Sequence, residues 1–189
     1  MQQEPALTED GFAILTGKYG GKLVAQSCLT PMVHTAIGGP GREFWVNDRN
    51  YPLVRSYVEG TALESGWGRV EMTPAAPART HRLLTLMYAA DTAGSPVKAA
   101  EIETEQLAGA AIFDCVTLFS KDGEPLHAPL SFSVTGESLQ KYFLAGLTPG
   151  PWTVTVNGKP VCTAEVSAES GLPAFTAPAG AVALTPADR

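Results

Sequence analysis

Charge is scarce in this chain, and positive charge is scarcer still. Only 17% of the 189 residues are charged, against about 25% in an ordinary soluble domain. Lys and Arg number 13 against 19 Asp and Glu, a net charge of −6, and no stretch strings basic residues together. Nucleic-acid affinity rests on clustered Lys and Arg that neutralise phosphate, so nucleic acid is not expected as a partner. Cysteine is rare too: Cys28, Cys115 and Cys162 are an odd number, each inside an apolar run. That is not a disulfide framework. Buried reduced thiols are the expectation, and a single disulfide is the alternative. No apolar run approaches the roughly 20 residues of a membrane-spanning helix, so no membrane partner is expected. Met1-Gln2-Gln3-Glu4-Pro5 has neither the basic head nor the apolar stretch of a signal peptide. Residues 1–8 read instead as a linker.

What the chain does have is apolar and turn-forming residues. Hydrophobic residues make up 44%, with 19 Gly and 15 Pro. Disordered chains are poor in apolar side chains and rich in net charge, so this composition specifies a folded protein. The apolar runs are short and regularly interrupted. Phe12 to Leu15 and Lys22 to Leu29 flank a glycine-rich turn at 17–21, and Val33 to Ile37 and Phe44 to Val46 flank Gly38-Gly39-Pro40-Gly41. Three glycines and a proline forbid a helix there and favour a tight loop. Gly68 to Met72 and Arg79 to Ala89 follow as strands. In the second half come Ala110 to Leu118, a hairpin turn at Lys121-Asp122-Gly123-Glu124, and then Leu130 to Val134, Lys141 to Leu144, Trp152 to Val156, Val161 to Val166, Phe175 and Ala181 to Leu184. Short strands near ten-residue spacing imply a sandwich or barrel. Asn157-Gly158 between Val156 and Lys159 is the strongest hairpin signal, because Asn-Gly takes the two positive φ angles of a type I′ turn. The one helix candidate, Val97 to Leu107, alternates Glu101, Glu103 and Glu105 with Ile102 and Thr104, and period two marks a strand. The fold class expected is all-β, an antiparallel two-sheet β-sandwich. It is expected as a single domain over 1–189, with 173–189 a partly irregular Ala/Pro-rich tail.

No standard catalytic motif occurs: no Gly-x-Ser-x-Gly elbow, no phosphate loop and no His-Glu-x-x-His. His34, His81 and His127 are isolated, with no second ligand at i+2 or i+4. A zinc site needs at least three converging ligands, so neither a metal nor another cofactor is expected, and no catalytic residue is assigned. Glu101, Glu103 and Glu105, or Glu64 with Glu71, could supply the paired carboxylates of glycoside hydrolysis, but the charged outer face of a strand explains them as well. Aromatic residues are the better lead, since flat C–H faces of sugars pack on exposed Trp and Tyr rings. Trp45 and Tyr51 near the 38–41 loop, and Trp67 in Ser65-Gly66-Trp67-Gly68, are the candidate ligand-binding residues. Trp152 is in register with Val154 and Val156 and is expected in the core.

Several of these stretches resemble one family. Gly20-Gly21-Lys22-Leu23, Leu29-Thr30-Pro31, the run Ile37 to Val46, Asn50-Tyr51, the run Trp67 to Pro74, and Leu83 to Tyr88 before Asp91 are similar to the C-terminal part of heparinase II/III-like polysaccharide lyases. The run Tyr142 to Val154, with Phe175-Thr176-Ala177-Pro178-Ala179-Gly180, looks like the end of the same module. These are turn and core signatures, so they speak to fold more than to chemistry. The resemblance implies a β-sandwich behind a catalytic α/α toroid, whose Tyr, His and Asn or Glu abstract the proton α to a uronic carboxylate. It also implies a His-x-His segment near the sandwich's start, sometimes holding zinc. This sequence contains no toroid helices and no His-x-His, so the family's catalytic residues have no positions here. The expectation is a non-catalytic module that supports or contacts polysaccharide beside a catalytic toroid, in a periplasmic or extracellular setting. The alternatives are a free-standing carbohydrate-binding module and a small lyase using His34 or His81 with Tyr51 or Tyr88.

Overall fold

The computed structural model describes residues 3–17, 19–51 and 67–187. Glu64 and the Ser65-Gly66 turn lie outside the described residues. All regular structure among them is strand, in antiparallel sheets of β-sandwich character with a single parallel pairing, so the chain is all-β. Internal contacts gather it into two compact units, Met1–Pro96 and Val97–Arg189.

The first unit contains a four-stranded antiparallel sheet in the order β1 (Ala6–Leu7), β2 (Phe12–Thr16), β3 (Gly21–Cys28), β8 (Leu84–Asp91). The strand at Ala6–Leu7 falls inside the expected linker and pairs with Ala13 and Ile14, while Pro5 beside it is buried. β4 (Met32–Gly38) pairs with β7 (Gly68–Pro74) along its whole length, ending on Gly38 opposite Gly68. β5 (Trp45–Val46) and β6 (Arg49–Asn50) form a minimal ribbon closed by Asn47 and Asp48, both at positive φ. Such φ values suit the short polar side chains that tolerate the left-handed region. The core here is small: Phe12, Ala13, Val24, Ala25 and Cys28 are buried.

The second unit holds seven strands in the order β14 (Lys159–Val166), β13 (Gly150–Val156), β15 (Ala174–Pro186), β12 (Leu130–Ala145), β11 (Cys115–Ser120), β10 (Leu107–Ile112), β9 (Ala100–Glu103). Two long strands bend this sheet over one core. The first part of β12 pairs Leu130–Val134 with Leu184–Gly180 of β15, and its second part pairs Leu139–Phe143 with Pro178–Ala174, with a register break between Val134 and Leu139. Along β15 the buried residues are Ala177 and Ala179, then Val182 and Leu184. Inward parity therefore switches at Gly180, whose φ of 147° lies where an L side chain is disfavoured. All seven strands contribute to one apolar cluster, centred on Trp152, Tyr142, Leu107, Leu118 and Leu144. Tyr142 stacks on Phe175 at 4.9 Å and donates its hydroxyl to the Pro178 carbonyl at 3.0 Å, and the Trp152 indole donates to the Thr148 carbonyl at 3.0 Å. Both large rings thus bury their area without an orphaned polar atom.

Further expectations change. The tail from 173 is mostly β15, a thirteen-residue strand. Its alanines fit because small side chains at 177 and 179 pack inward. The run Ala110 to Leu118 is two strands turned at Phe113-Asp114, with Phe113 at φ 54°. Neither residue carries the Gly or Asn signal of a tight hairpin, and the exposed Asp114 carboxylate pairs with Lys141 at 2.8 Å. The turn at 121–124 does not lead into a hairpin: β11 pairs with β12 in parallel, Cys115 to Phe119 against Lys141 to Ala145. The Asn157-Gly158 hairpin is as expected, with φ values of 51° and 75° and antiparallel β13 and β14. Asn157 also anchors it to β15, donating its N–H to the Ala181 carbonyl at 2.8 Å and accepting the Ala181 N–H on Oδ1 at 3.0 Å. Of the three cysteines only Cys28 is fully buried, whereas Cys115 and Cys162 are half-buried.

Candidate functional site

The 38–41 loop and the start of β7 build the candidate site in the first unit. Gly38 and Gly68 face each other where β4 and β7 end, and their lack of side chains lets the Trp67 segment lie directly on the glycine backbone. The Gly39 N–H donates to the Trp67 carbonyl at 2.7 Å. A Cβ on Gly38 would stand 2.2 Å from that carbonyl oxygen and 2.6 Å from Cε3 of the indole. Trp67 is therefore positioned by an absence of side chain at 38.

Two grooves share Gly68 and Arg69 in their linings. One, of about 460 Å3, is lined by Trp67, Tyr19, Lys22 and the apolar side chains of Leu15, Leu23 and Ala89. The other, wider and of about 790 Å3, is lined by Tyr51, Phe44, Val46, Glu43 and Glu71. Arg69 belongs to both. Its Nε donates to Glu71 at 2.7 Å, its terminal nitrogen approaches the same carboxylate at 2.6 Å, and it also donates to the Trp45 carbonyl. Lys22, largely buried, donates its ammonium to the carbonyls of Thr92 and Gly94.

Of the expected residues, Trp67 and Tyr51 each line a groove, while Trp45 meets the site through its carbonyl. The rings of Trp45 and Tyr51 are covered by guanidinium groups, Arg42 at 4.6 Å and Arg49 at 5.2 Å. Glu43 sits in a polar turn: its own N–H, the Gly41 N–H at 3.1 Å and the Asn50 amide at 3.4 Å hold its carboxyl below the ordinary carboxylate value. Tyr19, 90% exposed, and Arg69 were not singled out from the sequence. The glycine-rich turn around Tyr19 was the available signal, since a ring in such a turn has no strand face to bury it.

The other candidates lie elsewhere. His34 Nε2 is 3.0 Å from Ser27 Oγ, which also lies 3.2 Å from Met72 Sδ; His34 lines neither groove. Glu101, Glu103 and Glu105 are exposed, and Glu103 pairs with Lys121 at 2.6 Å. Glu101 and Glu103 border an open depression of about 660 Å3 in the second unit, floored by Phe132 and Val182. Among the described residues no three His, Cys, Asp or Glu side chains group closely enough to hold a metal ion. No helix among them is long and apolar enough to cross a membrane.

The second unit is thus a β-sandwich module whose seven strands share one core. Residues 101–186 match the family model of the heparinase II C-terminal domain. The likeness to the C-terminal module of heparinase II/III-like lyases holds on that match, which does not extend to the grooves beside Trp67. No curated protein matches the chain.

Proposed function

We propose that the chain is a non-catalytic module of the polysaccharide-lyase type that contacts polysaccharide through its first unit. The observation that carries this reading is that Trp67 and Tyr19 line one groove of about 460 Å3. Ligand sites commonly enclose about 300–1,000 Å3, and aromatic rings with polar edges suit sugars, which are flat on one face and hydroxylated at the rim. The heparinase II C-terminal domain over 101–186 supports the lyase context. In this reading the partner is a catalytic α/α-toroid domain, which supplies the groups for proton abstraction, and the setting is periplasmic or extracellular. A free-standing carbohydrate-binding module would use the same groove without that partner.

β-Elimination needs a base and an acid that both reach the sugar within about 3 Å. His34 is engaged with Ser27, and the Tyr51 ring lies under Arg49, so the reading gives neither a catalytic role. Calorimetric titration of the whole chain with polysaccharide tests the proposal. Saturable binding that Trp67→Leu abolishes, without release of unsaturated uronate ends, is expected. Binding unaffected by that change, or unsaturated ends that disappear on mutating His34 or Tyr51, would overturn it.

A further inference from the structure

Asn157 and Gly158 close the β13–β14 turn, both exposed to solvent, and the pair carries a chemistry of its own. Of the chain's three asparagines only Asn157 precedes a glycine; Asn47 and Asn50 are followed by Asp48 and Tyr51. With no Cβ beside it, the Gly158 nitrogen is open to base and its backbone turns freely. Once base removes its proton, that nitrogen can attack Cγ of Asn157. The new C–N bond closes a succinimide ring, the Cγ–Nδ2 bond breaks and ammonia leaves. Water then opens the ring at one of its two carbonyls. Opening at Cγ leaves aspartate, whereas opening at the main-chain carbonyl leaves isoaspartate, which carries an extra methylene in the backbone.

The closed hairpin withholds the geometry this reaction needs. Ring closure requires Cβ of Asn157 and the Gly158 nitrogen to be eclipsed across the Cα–C bond. With φ values of 51° and 75° the turn is type I′, whose first central residue has ψ of about +30°, and at that angle the nitrogen lies nearly opposite the side chain. Ala181 clamps the arrangement, accepting the Asn157 N–H at 2.8 Å and donating its own N–H to Oδ1 at 3.0 Å. We propose that Asn157 is a self-modification site, silent while β13, β14 and β15 are paired and converted by its own neighbour whenever the hairpin opens. Conversion to isoaspartate is one-way for the fold. Two residues span the Val156–Lys159 pair with no slack for another backbone carbon, and the carboxylate no longer stands where Oδ1 met Ala181. Aspartate at position 157 keeps that acceptor and lets the hairpin close again. The turn thus records its own opening.

The test holds the full chain at mildly alkaline pH and one temperature, in buffer and in urea, and follows residue 157 by peptide mass spectrometry. In urea Asn157 is expected to lose its amide while Asn47 and Asn50 keep theirs. In buffer the conversion should be at least about tenfold slower, since only the open fraction reacts. Equal rates in the two solvents would overturn the proposal, and so would an Asn157 that survives urea as well as the other two asparagines. Gly180→Ala presses a Cβ to 2.7 and 2.8 Å from the Nδ2 and Oδ1 atoms of Asn157, so it should speed conversion in buffer and leave the rate in urea unchanged; an unchanged rate in buffer would refute the clamp. Converted material returned to buffer should divide into aspartate chains that regain the second unit's melting transition and isoaspartate chains that do not. Isoaspartate chains that melt like the parent would refute the one-way step.

Discussion

Replacing Gly38 by Ala adds a single methyl group, yet the structure gives it nowhere to go. The new Cβ would lie 2.2 Å from the Trp67 carbonyl oxygen, 2.6 Å from Cε3 of its ring and 2.8 Å from the Gly68 Cα. Ordinary contacts between such atoms are near 3.5–4.0 Å, so the last pair of the β4–β7 ladder must separate by about an ångström. Two of the three clashing atoms are backbone, which no rotamer change can relieve. Overpacking of this kind costs roughly 1–3 kcal/mol. At about 2 kcal/mol, the first unit's melting temperature should fall by roughly 8–16 °C, given about 4–8 °C per kcal/mol for a domain of 60–100 residues. The same shift displaces Trp67 from its groove, so tryptophan emission and sugar affinity should change together although residue 38 touches no ligand. Gly41→Ala is the control. Its Cβ meets nothing within 4 Å, but its φ is 77°, so only backbone strain of about 1–2 kcal/mol should appear, with Trp67 undisturbed. The reasoning fails if Gly38→Ala melts like the parent chain, or if Gly41→Ala perturbs Trp67 emission as much.

Four other outcomes can be measured. Gly158→Val meets open space but must adopt φ 75°, so it should destabilise the second unit by about 1–3 kcal/mol, whereas Glu103→Ala should cost no more than about 0.5–1 kcal/mol; paired melts reversing that order would unseat the hairpin assignment. Native-state alkylation should spare Cys28 and proceed slowly at Cys115 and Cys162, whose thiols burial holds above their ordinary pKa; rapid labelling of Cys28 would contradict the core assignment. Lys141 keeps the Asp114 carboxyl below its ordinary 3.8, so their contribution is fully present above the unfolded-state value and is lost as pH falls through the lower folded one; Lys141→Gln should remove that part of the acid dependence, and an unchanged acid melting curve would refute it. Two compact units predict two calorimetric transitions, whereas one coincident transition would make 1–189 the single cooperative domain expected from sequence.

The legible parts of the fold are those where one local rule decides the outcome. Period two around Trp152, Val154 and Val156 ends in buried residues on every second position, and Asn157-Gly158 could hardly be anything but a tight turn. Pairing order was not legible. That β12 runs antiparallel to β15 yet parallel to β11 depends on contacts far apart in sequence, to which alternation is blind. The Phe113-Asp114 turn escaped because neither residue is the Gly or Asn that marks a tight hairpin, although Phe113 takes φ 54°. The candidate site was half visible. Trp67 and Tyr51 were marked by their turn surroundings, but Arg69 looked like any strand residue, and nothing local shows that Arg42 and Arg49 cover two of the three chosen rings.

The chain has three tryptophans, so a titration followed through the three indole N–H resonances reports directly on where polysaccharide binds. Trp152 is buried with its indole committed to Thr148, and the Trp45 ring lies under Arg42. The account predicts that the Trp67 signal moves saturably with added oligosaccharide, while the other two shift little and no unsaturated uronate appears. A titration in which Trp67 stays still while the chain binds through another surface would contradict it.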